Sequence, residues 1–448
     1  MESIWTKDVC MPEFPKLETD IRTGVLIIGG GMTGILCAYF LQQAGVDYCL
    51  LEAEKICRGI TGSTTAKITS QQGLQYDKLL RKEGLERASL YLKANEQAKK
   101  HYRDLGWFID CDMKEEDAYV YSRNDRNVLE QEITALGKLG YAAEFVEHPN
   151  LPFETAGAVR VRHQLQFHPL KFVAEIAKNL RIYEDSPVRE MTEHLCLTPG
   201  GSVTAEKVIV ATHFPILNKR GSYYLKLYQE RAYVLALENA PAVDGMYIDA
   251  VHGGLSFRNY RNYLLVGGKS HRTGKPLRLK DGEEKTLCGL NALKEEVQDI
   301  LPEARIAAEW AAQDCMSLDG MPYIGKYSRR TPELFVGTGY SKWGMTGSML
   351  AAMVLTDLVQ ERENEYAGLL STSRSMLKPQ LAKNAWHAAT GILRLTGKQR
   401  CTHMGCVLQW NAGEKTWECP CHGSRFDAEG NILDNPTMRK LKNETEEK

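Results

Sequence analysis

The chain has no surplus of either charge. Its 448 residues carry 56 Lys and Arg against 57 Asp and Glu, a formal net charge of −1. That balance removes the bulk attraction on which a dedicated nucleic-acid or anionic-membrane binder depends. Long unbroken apolar runs are missing too. Residues 24–41 are uncharged and approach the length of a membrane span, but Gly29, Gly30 and Gly31 interrupt them. The N-terminal segment MESIWTKDVCMPEFPKLETD lacks the apolar centre of a leader peptide. These absences predict a cytoplasmic protein with no membrane span. Internal repeats and low-complexity tracts are also lacking. Hydrophobic residues make up 43% and charged residues 25%. That is the ordinary range for a globular chain, and the length suggests two or three domains of roughly 150 residues each.

What is present opens as strand, turn, helix, strand. Residues 25–28 (VLII) form a β-branched apolar run, residues 32–44 have helical spacing, and residues 48–52 (YCLLE) read as a second strand. Helical periodicity recurs at about 76–105, 127–139, 170–180, 283–300 and 345–359. Strands are expected at 118–122, 157–162, 203–212 and 334–339. Several more between 231 and 268 suggest an antiparallel sheet. This pattern predicts an α/β domain with a second sheet inserted at about 216–317. Residues 376–395 look more helical than β.

Residues 29–34 read Gly-Gly-Gly-Met-Thr-Gly, a G-x-G-x-x-G that follows a strand and opens a helix. Gly29 permits the tight turn, Gly31 lets the backbone approach a pyrophosphate, and Gly34 allows close helix–strand contact. The helix N-terminus offers free N–H groups to phosphate oxygens. Glu52, 18 residues beyond Gly34 at the end of the next strand, suits a ribose diol. No second G-x-G-x-x-G occurs, which disfavours an enzyme binding both flavin and nicotinamide in two such domains. Residues 1–370 contain no C-x-x-C, so a disulfide reductase is not expected.

Further stretches carry a family resemblance. Residues 59–69 (GITGSTTAKIT), 186–188 (SPV), 208–212 (VIVAT), 313–325 (QDCMSLDGMPYIG) and 337–346 (GTGYSKWGMT) occur in that order. Together they resemble the D-amino-acid oxidase/glycine oxidase superfamily, and most closely its γ-glutamylputrescine oxidoreductase-like branch. The resemblance implies an FAD-binding Rossmann-type α/β domain with an inserted antiparallel-sheet substrate domain. It adds FAD contacts at Met32, Thr33, Thr64, Thr65 and Ala66 to those of Gly29, Gly31, Gly34 and Glu52. It implies others at Val188, Ala211 and Thr212, and at Gly337, Gly344, Met345 and Thr346. Gly344 also precedes a helix whose N-terminal N–H groups suit negative charge on a reduced flavin. Cys315 lies where some relatives attach FAD covalently, with a different local spacing.

Twelve cysteines divide unevenly. Eight are scattered and read as free thiols of a reducing compartment. Four fall near the C-terminus in Cys401-Thr-His403-Met-Gly-Cys406 and Cys419-Pro-Cys421-His422-Gly-Ser424. Two Cys and two His can hold zinc. The whole pattern, with its extra cysteine pair and both loop glycines, resembles a Rieske [2Fe–2S] signature. That resemblance implies Cys401 and Cys419 on one iron and His403 and His422 on the other. It implies a Cys406–Cys421 disulfide, and Ser424 as donor to a bridging sulfide. Replacing two thiolates by neutral imidazoles lifts the potential to roughly −150 to +300 mV. Few strand-like residues precede Cys401, so a shortened β module is expected. A cluster-free remnant of such a module is the competing possibility.

These readings divide the chain into an FAD-dependent region at 1–372, a linker at 373–395 and a Rieske-like module at 396–448. The FAD-binding parts are about 22–80, 150–215 and 318–372, and the substrate parts about 81–149 and 216–317. Substrate-side candidates are Arg231 or Arg258 for a carboxylate, Tyr233 or Tyr260 for the pocket wall, and Lys67 and Lys342 as cations near the flavin. The expected activity is oxidation of a C–N bond in an amine or amino acid. Electrons would pass from FAD through the cluster to a one-electron acceptor protein or another acceptor. A non-catalytic redox sensor and a reductase using the same relay are the alternatives.

Overall fold

A computed structural model describes residues 2–217, 220–277, 288–393 and 399–441. Residues 283–287 of the expected helix at 283–300 lie outside the described residues, as do the ends of the C-terminal module at 396–398 and 442–448.

The apolar strand Ile21–Ile28 is the centre of an eight-stranded sheet. It runs parallel to Tyr48–Leu51 on one side and to Gly201–Val210 on the other. Gly201–Val210 in turn pairs in parallel with Thr331–Thr338, and Tyr323–Ser328 closes that edge antiparallel. Leu26, Ile27 and Ile28 are buried because both sheet faces are covered, which is why the strand reads as a continuous apolar run. Helices Met32–Gln43 and Gly344–Val359 lie over one face and are buried along most of their lengths. Their apolar sides meet Ile27 in one core cluster.

The second sheet has nine strands. Its main order is Arg305–Met316, Tyr228–Glu238, Tyr263–Arg272, Ser256–Tyr260, Met246–Asp249, Lys114–Ser122, Gly157–Gln166 and Lys67–Ile68. It is antiparallel except where Met246–Asp249 runs parallel to Lys114–Ser122, so the sheet is mixed rather than purely antiparallel. Arg305–Met316 lies outside the strands expected from periodicity. Its sequence RIAAEWAAQDCM is rich in alanine, which favours helix, and neighbouring strands on the sheet override that preference.

The C-terminal region holds a third sheet of four short strands: Gln409–Asn411, Thr416–Glu418, Arg425–Phe426 and Ile432–Asp434. Helix Pro379–Leu393 precedes it within the segment expected as a linker. Gly391 of that helix lies against the sulfurs of Cys406 and Cys421, so the helix packs on the module.

Candidate functional site

The glycine turn is built on backbone contact. A Cβ on Gly34 would stand 1.9 Å from the carbonyl oxygen of Gly29, and one on Gly29 would stand 2.6 Å from that of Ala211. Gly29 has φ +107, where L side chains are strained. By contrast a Cβ on Gly31 would meet nothing nearer than Thr61 Oγ1 at 3.6 Å, leaving a concavity over the helix N-terminus. The Met32 amide donates to that Thr61 hydroxyl at 3.0 Å. Glu52 accepts from the amides of Gly30 at 2.6 Å and Glu54 at 3.0 Å. Burial pushes its carboxyl above the usual range. Thr33 Oγ1 shares a hydrogen bond with Tyr340 OH at 2.8 Å, which joins the first motif to the 337–346 segment. Ala211 and Thr212 sit beside the turn, and Val188 packs against the sheet's second face.

From this turn the 60–69 loop crosses to the nine-stranded sheet. Trp310 Nε1 donates to Ser63 O at 2.9 Å, and Trp5 Nε1 donates to Thr64 O at 2.8 Å. Arg258 Nη1 donates to the carbonyls of Thr65 and Ala66, each at 2.7 Å. Ala66 has φ +55, and these bonds hold it there. Thr346 Oγ1 accepts from the amide of Thr69 and donates to its carbonyl, and Tyr102 OH donates to Met345 O. Beyond the loop lies a small cavity walled by Lys67, Thr69, Gln71, Tyr119, Met246 and Trp343, among others. Burial, with the Arg258 charge nearby, pulls the Lys67 ammonium down to about 7. Gln71 Oε1 and Arg258 Nη2 are buried without a partner. An adenine–ribose–pyrophosphate chain suits the concave glycine turn, and a polar flavin edge suits these unmet atoms. The residues present therefore fit FAD.

Strand alternation decides which side chains face this cavity. In the antiparallel pair Tyr228–Glu238 and Arg305–Met316, Glu230 is opposite Asp314 and Arg231 is opposite Gln313. The face bearing Trp310 and Asp314 turns toward the flavin loop. Glu230 on that face accepts from Lys342 Nζ at 3.1 Å and pairs with His252 Nε2 at 2.8 Å. Although burial opposes ionisation, these partners hold the Glu230 carboxyl down at about 2. Asp314 beside it is raised to about 6 by burial. Lys342 is thus occupied by Glu230 and anchors the loop that carries Trp343 into the cavity wall.

The opposite face bears Gln229, Arg231, Tyr233 and Gln313, and it meets the C-terminal module. Arg231 forms an ion pair with Glu414, which also receives Tyr233 OH at 3.1 Å and an ion pair from Arg425. The expectation that Arg231 binds a substrate carboxylate and that Tyr233 lines the pocket is therefore overturned. Both point away from the cavity, because they sit on the other parity of the strand. Arg258 remains on the cavity side, spent in part on the flavin loop. Cys315 is buried against Thr338 with its thiol pushed up to about 12, a poor nucleophile for covalent attachment.

In the module, two loops face each other. Gly405 N–H donates to Cys401 O and Gly423 N–H donates to Cys419 O, each at 2.9 Å, so both loops close by the same turn. Cys406 and Cys421 are joined as a disulfide, and the imidazoles of His403 and His422 lie with centroids 5.0 Å apart. The neighbouring Cys419 thiol pulls that of Cys401 down to about 7. Burial pulls His403 down to about 4 and His422 down to about 3, so both rings are neutral at pH 7, as metal ligation requires. Both ring nitrogens of His403, and Nδ1 of His422, are buried without partners. Two buried thiols and three unmet imidazole nitrogens, on two loops tied by one disulfide, fit a [2Fe–2S] cluster. Ser424 Oγ accepts from Thr437 N–H at 3.3 Å.

Sequence reasoning missed Gln71, Tyr119, Trp343, Glu230 and Asp314. Trp343 and Asp314 were within reach, since they lie inside the 337–346 and 313–325 segments; the others come from strands and loops whose facing no local pattern fixes.

Residues 24–358 match the FAD dependent oxidoreductase family, and residues 388–444 match the Rieske [2Fe-2S] domain. The second match sets aside zinc. The putative Rieske 2Fe-2S iron-sulfur protein YhfW of Bacillus subtilis (strain 168) is 31% identical, over 98% of this chain and 97% of its own length. Gamma-glutamylputrescine oxidoreductase of Escherichia coli (strain K12) is 26% identical, over 80% of this chain and 88% of its own. Glycine oxidase from Geobacillus kaustophilus shares the fold, with a TM-score of 0.65 at 19% identity, covering 79% of this chain and 99% of that one. Among the described residues no helix is long and apolar enough to cross a membrane. The chain belongs to the FAD dependent oxidoreductases, and is a flavoenzyme that carries a Rieske [2Fe–2S] domain after its FAD-binding fold.

Proposed function

We propose that the protein oxidises a C–N bond of an amine or amino acid and delivers the electrons singly, through the cluster, to a one-electron acceptor. One observation carries this reading: a single two-stranded wall holds the flavin loop on one face, through Trp310, and the second cluster loop on the other, through Gln313. Bound FAD supplies a hydride acceptor and the bound cluster a one-electron carrier. The chain supplies everything else. Gly29, Gly31, Gly34, Met32 and Thr33 cradle the pyrophosphate, with Glu52, Val188, Ala211 and Thr212 toward the adenosine end. Thr64, Thr65 and Ala66 would position the ring together with Gly337, Gly344, Met345 and Thr346. Cys401, Cys419, His403 and His422 hold the cluster. The substrate ammonium must lose a proton before its lone pair is available, and Lys67 Nζ, close to neutrality, takes it. Loss of the hydride equivalent then leaves the substrate as an iminium ion, which water hydrolyses.

In this reading residues 1–372 form the oxidoreductase region and residues 396–448 the cluster module. The eight scattered cysteines are unpaired, which suits the cytoplasm. The test is an anaerobic panel of amines and amino acids mixed with holoenzyme. Rapid saturable bleaching of the flavin absorbance, followed by the spectrum of a reduced cluster, is expected for at least one member. If no amine or amino acid bleaches the flavin while dithionite reduces both centres, the C–N oxidase reading fails and a sensor role takes its place.

A further inference from the structure

We propose that Gln229 and Gln313, with Arg272, are positioning residues that clamp the second cluster loop permanently to the wall of the flavin site. Electrons then cross one β-layer and are not carried by a swinging module. This rests on the relay reading above.

The carbonyls of four consecutive loop residues are engaged from the flavin side. Arg272 Nε donates to Pro420 O at 3.0 Å and Arg272 Nη2 to Cys421 O at 2.8 Å. Gln229 Nε2 donates to His422 O and Gln313 Nε2 to Gly423 O, both at 2.9 Å. His422 adds a bond of its own, from Nε2 to Tyr224 O at 3.1 Å, which leaves Nδ1 for iron.

Both glutamines are fully buried, at 1% and 0% exposure. A buried carboxamide is costly unless its donors and acceptor are met. Here they are met by one another and by the module. Gln313 Nε2 also donates to Gln229 Oε1 at 2.9 Å, Thr273 Oγ1 donates to Gln313 Oε1 at 3.0 Å, and Gln229 Nε2 reaches Asn435 O at 2.9 Å. Lifting the module away would leave Gln229 Nε2 with neither of its acceptors, and would cost Gln313 Nε2 its bond to Gly423 O and the Arg272 guanidinium its bonds to residues 420 and 421. The approach is also sterically tuned. Gly423 has φ +82, and a Cβ there would stand 2.6 Å from Gln229 Cβ, so the loop touches the wall as closely as backbone permits. On the other face of the same strands, one residue along from the glutamines, sit Asp314 and Glu230, and Arg272 is the cross-strand partner of Glu230, so the clamp grips the loop from both faces. A carrier this firmly held sets a fixed distance between centres, and rate depends steeply on such geometry.

The experiment uses holoenzyme and the variants Gln229→Met and Gln313→Met, singly and together, with Arg272→Lys as the conservative control. Substrate is mixed anaerobically while flavin and cluster spectra are followed, with a one-electron acceptor such as ferricyanide added in a second mixing. The wild type is expected to reduce its cluster at a rate independent of added viscogen, and to release no cluster-bearing fragment under limited proteolysis. In the double variant the flavin half-reaction stays unchanged, and dithionite still yields the reduced-cluster EPR signal. Transfer to the cluster slows by about tenfold and becomes viscosity-dependent, and the fragment is released. A wild-type rate that falls with viscosity, or a double variant with wild-type transfer and proteolytic resistance, would overturn the proposal. Proteolysis and dithionite-reduced EPR report on docking even where substrate electrons never reach the cluster, so failure of the relay and failure of the clamp are read separately.

Discussion

Arg231 and Lys67 were equally suggestive in the sequence, and the fold separates them. Arg231 lies in a stretch of tyrosines and cations that resembles a pocket wall, yet it is 4% exposed and paired with the buried Glu414 of the module. Removing one partner of a buried pair strands the other, at about 3 kcal/mol or more. Arg231→Ala should therefore lower the thermal midpoint of cluster bleaching while leaving KM for the amine unchanged. A raised KM at unaltered stability would return Arg231 to the substrate. Lys67 faces the cavity and is pulled down to about 7 by burial. Its neutral fraction grows as pH rises through that value, so flavin reduction by an amine should rise there too. Lys67→Met should flatten that limb while any limb from the substrate's own ionisation remains. Persistence of the limb near 7 in the variant would remove Lys67 as proton acceptor.

Among the elements, those with an intrinsic signal were legible. Residues 25–52 announced their strand, turn, helix and strand through a β-branched run, a glycine fingerprint and helical spacing. The helix Gly344–Val359 was equally plain. Arg305–Met316 was not, because its alanines favour helix and only pairing with Tyr228–Glu238 makes it a strand. Facing was illegible for the same reason: period two says that Glu230 and Arg231 oppose each other, but not which one meets the flavin. The glycine turn gives the sharpest prediction at this scale. With its new Cβ 1.9 Å from Gly29 O, Gly34→Ala must open the turn. The variant should be purified without FAD while still showing the EPR signal of the reduced cluster. Stoichiometric FAD in that variant would mean the turn does not carry the cofactor.

Across the whole molecule the sequence named two cofactor regions but could not join them. Their junction is made of Gln229, Arg272 and Glu414, which belong to no motif, of Gln313, whose stretch signalled the flavin and not the cluster, and of backbone carbonyls that carry no sequence signal. That junction also changes what the C-terminal module means. A domain tethered by a linker gains effective concentration alone, whereas a docked one gains orientation as well. The flavin receives electrons in pairs and the cluster passes them one at a time, so the two centres are useful to each other only if the outlet takes single electrons. Cys401→Ser/Cys419→Ser removes the thiolates that would hold one iron and leaves the carbonyl clamp of residues 420–423 chemically intact. Flavin bleaching by substrate should then proceed at the wild-type rate, because the cavity lies on the far face of the wall. Turnover with a protein one-electron acceptor should collapse, and any residual turnover should be with oxygen. The measurement is steady-state turnover with each acceptor beside the anaerobic half-reaction. Wild-type turnover with the protein acceptor in this variant would mean that electrons leave the flavin directly, and the module would then be a structural partner of the enzyme.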